Sequence, residues 1–231
     1  MAQEIVLAGG KRTPFGDFGK SLKDIPLTAL ATHAAKACVE DAEILPEDID
    51  HLVWGNVLPV DPDGYYTGRA AALNIGMKEE SCAMQVNRAC GSGTQAILTA
   101  AQQIMTGHGK IALAGGGENF SRAPFANQKM RWGAIRGAQS FEDTMESVYS
   151  DPFGHGLMGA TAENLSEDFQ YRREDMDAWG LMSQQRAGKA IATGFLARQI
   201  APIEVPEGRK GTRLMSEDEF PRPEITLEKL A

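Results

Sequence analysis

At 231 residues, with 42% hydrophobic residues, 25 glycines and 11 prolines, the chain has the composition of a globular protein with a substantial core, not a disordered or fibrous one. Its formal charge of −8 supplies no surplus of lysine and arginine, which excludes nucleic acid and anionic membranes as expected partners. No basic segment leads into an apolar run at the start, no stretch nears 18 apolar residues, and the three cysteines lack CxxC spacing. The expectation is a cytoplasmic protein without a secretory signal, membrane span, disulfide framework or bound metal.

In chain order, Glu4 to Ala8 is a short apolar run before Gly9-Gly10 and predicts a buried strand. Pro26 to Ala42 predicts a helix with Leu27, Leu30, Ala34, Ala37 and Cys38 on its inner face. His51 to Val57 predicts a second strand, Arg69 to Ile75 a short helix, and the alternating Cys82 to Val86 a third strand. Gly91 to Thr106 predicts a helix with Ile97, Leu98, Ala101, Ile104 and Met105 on one stripe, ended by Gly107. Lys110 to Gly116 predicts a fourth strand. Strands alternating with helices at these lengths predict a mostly parallel sheet in an α/β fold.

The periodicity then breaks. Glu118 to Phe153 carries arginines, Met130 and Trp132 without a period, as a functional excursion or an interface does. Met158 to Asp168 and Glu174 to Thr193 predict two helices. From Glu204 onward charges are dense and Pro206, Pro221 and Pro223 recur, which predicts no compact element, although Ile225 to Ala231 looks like the start of one. The expected division is a core at 1–117 and an insertion at 118–231.

Cys90 is the leading candidate for chemistry. It sits between the third strand and the helix that follows, among Gly91, Ser92 and Gly93, a costly choice at a helix start unless something must approach closely. A free thiol is only a few per cent thiolate at neutral pH. A helix N-terminus stabilises an anion by about 0.3–1 kcal/mol, which falls short of full ionisation, so a nucleophile there needs a second activator, normally an imidazole. Cys38 and Cys82 read as small buried packing residues. Of the four histidines, His155 lies between glycines in a loop able to face a site, or simply shapes a turn. A second reading of Gly91-Ser92-Gly93-Thr94-Gln95-Ala96 is a dinucleotide-binding GxGxxA turn with Glu118 as the ribose acid. It is disfavoured because the motif follows the third strand and not the first.

Five blocks in order resemble the N-terminal half of the thiolase family: Lys11-Arg12-Thr13-Pro14-Phe15-Gly16, Gly55-Asn56-Val57-Leu58-Pro59, Asn87-Arg88-Ala89-Cys90-Gly91-Ser92-Gly93, Ala114-Gly115-Gly116-Gly117-Glu118, and Met158-Gly159-Ala160-Thr161-Ala162-Glu163-Asn164. The resemblance implies a layered α/β/α half with an inserted loop domain, assembled as a homodimer or homotetramer. It implies acyl transfer between coenzyme A thioesters: Cys90 takes the acyl group, with Met158, Leu157 and His155 at the substrate and no cofactor beyond the thioesters themselves. Acetyl-CoA acetyltransferase is the first expectation and 3-ketoacyl-CoA thiolase the next. The family's GHP histidine, NEAF-like segment and second CxG cysteine do not occur in these residues. The chain is therefore expected to need a C-terminal half and to be inactive alone, which also leaves open a non-catalytic thiolase-like scaffold. Leu157 stands where many short-chain thiolases carry a histidine.

Overall fold

The computed structural model describes residues 4–230. They form two compact units, residues 4–123 with 199–217, and residues 124–198 with 218–230. The segment 199–217, expected to belong to the insertion, thus packs with the core unit.

The first unit is built on three parallel strands, β1 (His51–Gly55), β2 (Cys82–Val86) and β3 (Ala112–Gly116), in the order β2–β1–β3. Three helices serve the sheet: α1 (Leu27–Asp41), α2 (Thr67–Asn74) and α3 (Ser92–Met105). The chain crosses from β1 to β2 through α2, then back past β1 to β3 through α3. Parallel crossovers are right-handed, so reversing the direction of travel puts α2 and α3 on opposite faces. The strand's period of two agrees. Leu52 and Trp54 pack with Ala31, Val39, Ala71 and Ala72, whereas Val53 between them packs with Ala96 and Ala100 of α3.

Several elements differ from the sequence expectation. Glu4 to Ala8 forms no strand; Val6 and Leu7 are exposed, because an apolar run becomes a strand only where a partner accepts its backbone hydrogen bonds. In α1 the buried residues are Leu27, Thr28, Leu30, Ala31, Ala35 and Val39, a stripe rotated from the expected one. Helix α3 turns its small residues, Ser92, Ala96 and Ala100, inward, and leaves Ile97, Leu98 and Met105 exposed. Small residues are what close approach to the sheet requires. Cys82, expected inside, is exposed.

The segment read as structureless from Glu204 contains an antiparallel hairpin, β6 (Ile203–Pro206) with β7 (Thr212–Met215). Its alternating Ile203 and Val205 bury with Met215 against Leu22 and Leu30, and Glu204 between them faces outward. In the second unit the irregular stretch holds two-residue strands, β4 (Phe125–Ala126) paired with β5 (Glu142–Asp143). Helix α4 (Thr144–Tyr149) follows, with the Asp143 carboxylate accepting from the Met145 N–H at 2.9 Å as its cap. Helices α5 (Met158–Phe169) and α6 (Arg173–Ala192) lie close to their expected bounds. A final turn, α7 (Leu227–Leu230), occupies the closing segment, whose last residue lies outside the described range.

The sheet's tightest contact is at Gly55. A Cβ there would stand 2.6 Å from the Ser92 carbonyl oxygen and 3.0 Å from the Gly93 nitrogen, both backbone atoms of the α3 start. Gly→Ala at an unobstructed site stabilises by about 0.4–1 kcal/mol through the unfolded chain. Gly55→Ala should instead cost about 1–3 kcal/mol, since neither backbone can yield without shifting α3. Denaturant midpoints of the two chains measure this, and a neutral or stabilising effect contradicts it.

Candidate functional site

Because the strands are parallel, their carboxyl ends meet at one edge of the sheet. Asn56 leaves β1 there, the Asn87–Cys90 turn leaves β2, and Glu118 follows β3. Outside the carboxyl ends of parallel strands is where α/β folds bind ligands.

Cys90 is free and exposed, immediately before the first turn of α3. Ala89, preceding it, has φ +46°, the left-handed region that costs a residue with a Cβ about 1–2 kcal/mol. The surroundings hold it there. The Asn87 side-chain carbonyl accepts from the Ala89 N–H at 3.0 Å. The Ser92 hydroxyl, almost wholly buried, donates to the Ala89 carbonyl at 2.7 Å and accepts from the Arg88 N–H at 2.8 Å. Backbone bonds from Gly91 to the Arg88 carbonyl and from Ser92 to the Ala89 carbonyl, both 3.0 Å, close the turn. Arg88 reaches over α3 to Gln95 at 2.6 Å. The serine in this motif is thus a clamp on the turn that presents the thiol.

Glu118 lies on the same edge with an internal task. One carboxylate oxygen accepts from the Val57 N–H at 2.8 Å, from the Leu58 N–H at 3.2 Å and from the Asn56 side-chain amide. Asn56 also donates to the Gly117 carbonyl at 3.1 Å, and its backbone N–H donates to the Val86 carbonyl at 3.1 Å. With one oxygen committed to three donors within the fold, only the second is left for a ribose hydroxyl, which disfavours the dinucleotide reading of the Gly91–Ala96 turn. Beside it, Asn119 donates to the carbonyls of Leu22 and Ile25. Arg122 pairs with the nearly buried Asp61 at 2.6 Å, and Asp61 also accepts from the Leu27 N–H at the start of α1. These polar residues anchor loops.

His155, Leu157 and Met158 belong to the second unit. The backbone N–H of His155 donates to the Asp151 carboxylate at 3.0 Å, and Asp151 returns its own N–H to the Gly156 carbonyl at 2.8 Å. The His155 ring is largely exposed, 4.0 Å from that carboxylate. Leu157 is the N-cap residue of α5, and Met158 begins it; both are about half exposed. No group of three metal-ligating side chains occurs among the described residues, and no described helix is long and apolar enough to cross a membrane.

The family model for the thiolase N-terminal domain matches residues 5–231. The chain belongs to the thiolase family. It is 40% identical over 228 residues to a beta-ketothiolase of Cupriavidus necator, covering 99% of this chain and 58% of that protein. It is 38% identical over 227 residues to the mitochondrial 3-ketoacyl-CoA thiolase of Bos taurus, covering 98% and 57%. Among solved structures, the human mitochondrial 3-ketoacyl-CoA thiolase superposes with a TM-score of 0.91 at 37% identity, over 96% of this chain and 56% of that one. An acetyl-CoA acetyltransferase of Bacillus anthracis gives 0.90 at 37% identity, over 97% and 56%. The chain spans a little over half the length of these thiolases, and its fold is theirs: a mixed α/β architecture around a parallel sheet.

Burial raises the Glu118 carboxyl above the ordinary glutamate value, while the hydrogen bonds from Val57, Leu58 and Asn56 pull the other way. A raised carboxyl means the fold favours the protonated form. The stability this contributes is complete below the unfolded-state value and is lost as pH rises through the folded one. Glu118→Gln, which does not titrate, should gain stability relative to the native chain as pH rises from the ordinary glutamate range toward neutral. Urea midpoints across that range check it, and a difference that stays constant or shrinks contradicts it.

Proposed function

We propose that this chain is the nucleophile-bearing part of a thiolase that transfers acyl groups between coenzyme A thioesters, with acetyl as the first group to test. The Cys90 sulfur attacks the thioester carbonyl carbon, a new C–S bond forms to the enzyme, and the bond to coenzyme A breaks, releasing its thiol. In the second half, a base removes a proton from the α-carbon of another acetyl-CoA. The resulting carbanion attacks the acyl-enzyme, and Cys90 recovers its proton as acetoacetyl-CoA leaves. Run backward, the same steps cleave a 3-ketoacyl-CoA with coenzyme A.

The observation that supports this most strongly is the exposed Cys90 on a strained, hydrogen-bonded turn at the mouth of α3. The relatives' names add weight, as does the human 3-ketoacyl-CoA thiolase solved in complex with CoA. The imidazole that assists the sulfur and the base for the α-carbon are proposed to come from the part of the protein that corresponds to the rest of the relatives' length. On this reading these 231 residues do not turn over alone. His155, Leu157 and Met158 are proposed to meet the substrate. In a homo-oligomer, exposed side chains such as Trp132 and Ile135 would be covered by a partner subunit.

Brief exposure of the whole protein to acetyl-CoA should leave an acetyl group on Cys90, located by peptide mass spectrometry, and Cys90→Ala should lower turnover by at least about 10³-fold. An adduct on Cys38 or Cys82 instead, or full turnover in Cys90→Ala, contradicts the proposal.

A further inference from the structure

We infer that Glu118 is a positioning residue for the Cys90 turn, acting through the peptide between Val57 and Leu58. That peptide is held at both ends. Its N–H, from Leu58, donates to the Glu118 carboxylate at 3.2 Å, and its carbonyl, from Val57, accepts from the Asn87 side-chain amide at 3.1 Å. The other end of the same asparagine side chain accepts from the Ala89 N–H at 3.0 Å. A continuous path of hydrogen bonds therefore runs from the carboxyl end of β3, across the strap that leaves β1, to the residue preceding the thiol.

Each link has one job. The carboxylate gathers the Val57 and Leu58 N–H groups and the Asn56 amide on one oxygen, which fixes the direction of the strap's peptide planes. With that direction fixed, the Val57 carbonyl faces Asn87. The asparagine, oriented by it, turns its own oxygen to the Ala89 N–H. A left-handed alanine persists only where its surroundings over-determine it, and this path supplies one of the determinants. The Ser92 clamp supplies the other, from the helix side.

This role rests on the proposed chemistry at Cys90 for its purpose, but not for its test. Amide hydrogen exchange at Ala89 reads the turn directly, with amides in the middle of α1 as the reference for global stability. Glu118→Ala should speed Ala89 exchange at least about tenfold while the α1 amides change less than about twofold. Glu118→Gln, which keeps an acceptor oxygen, should stay within about threefold of the native rate. If Glu118→Ala does not fold, Glu118→Met, similar in length without a carboxylate, carries the same comparison. Asn87→Ala, an exposed replacement, should reproduce the effect.

Acetylation of Cys90 in the whole protein is the second readout and should slow about tenfold in Glu118→Ala and recover in Glu118→Gln. Unchanged Ala89 exchange in both Glu118→Ala and Glu118→Met, or equal loss in the α1 amides, overturns the inference. Faster Ala89 exchange in a protein whose Cys90 is never acetylated would uphold the positioning role and overturn the proposed function instead.

Discussion

The first turn of α3 rests on the bare backbone of Gly55, and the rest of the site depends on that contact. With no Cβ at the end of β1, the Ser92 carbonyl and the Gly93 nitrogen come within a distance that any side chain would forbid. Glycine in a strand interior normally weakens it, through lost packing and a larger entropy cost. Here it brings the first turn of the helix to the carboxyl edge of the sheet, where β2 delivers Cys90. Gly116, whose Cβ would stand 2.8 Å from the Gly55 carbonyl, keeps the neighbouring strand equally close. The small inward residues Ala96 and Ala100 continue the same close packing along α3.

That geometry forces a short exit from β2. Between Val86, the last strand residue, and Ser92, the first of α3, only five residues must turn the chain and present a side chain outward. The solution puts the strain on Ala89 and surrounds it with polar groups that bond into the turn. Asn87 and Ser92 bond into the turn from opposite sides. The thiol is thus held by a frame that reaches through the strap at 56–58 to all three strands.

How much of this was legible in the sequence depended on whether the signal was local. The alternation of Cys82 to Val86, the glycines around Cys90 and the 3.6-residue period of α3 specify strand, turn and helix within a few residues of each other, and all three stand where expected. Glu4 to Ala8 has the apolar look of a strand, but pairing is decided by what lies alongside, which a run of five residues does not encode. The hairpin at 203–215 was hidden by its charges, although Ile203 and Val205 alternate with Glu204 and Pro206 as half-buried strands do. The inner face of α3 departs from the expected one because hydrophobicity favours Ile97 and Leu98, while proximity to Gly55 favours small residues such as Ala96. Asn56, Asn87 and Glu118 act across separations of 30 to 62 residues, and Ala89 has no propensity for a left-handed backbone, so their roles were not visible before the fold.

The central claim is that residue 89 is held in a conformation alanine resists, and the sign of one stability change tests it. Glycine enters the left-handed region without cost, but in an ordinary conformation it destabilises by roughly 0.5–1 kcal/mol relative to alanine. The account predicts that Ala89→Gly leaves the chain as stable as before or more stable by up to about 1 kcal/mol, measured by denaturant unfolding. A loss of about 1 kcal/mol or more would mean that Ala89 is unstrained and that the turn presenting Cys90 is not built as described.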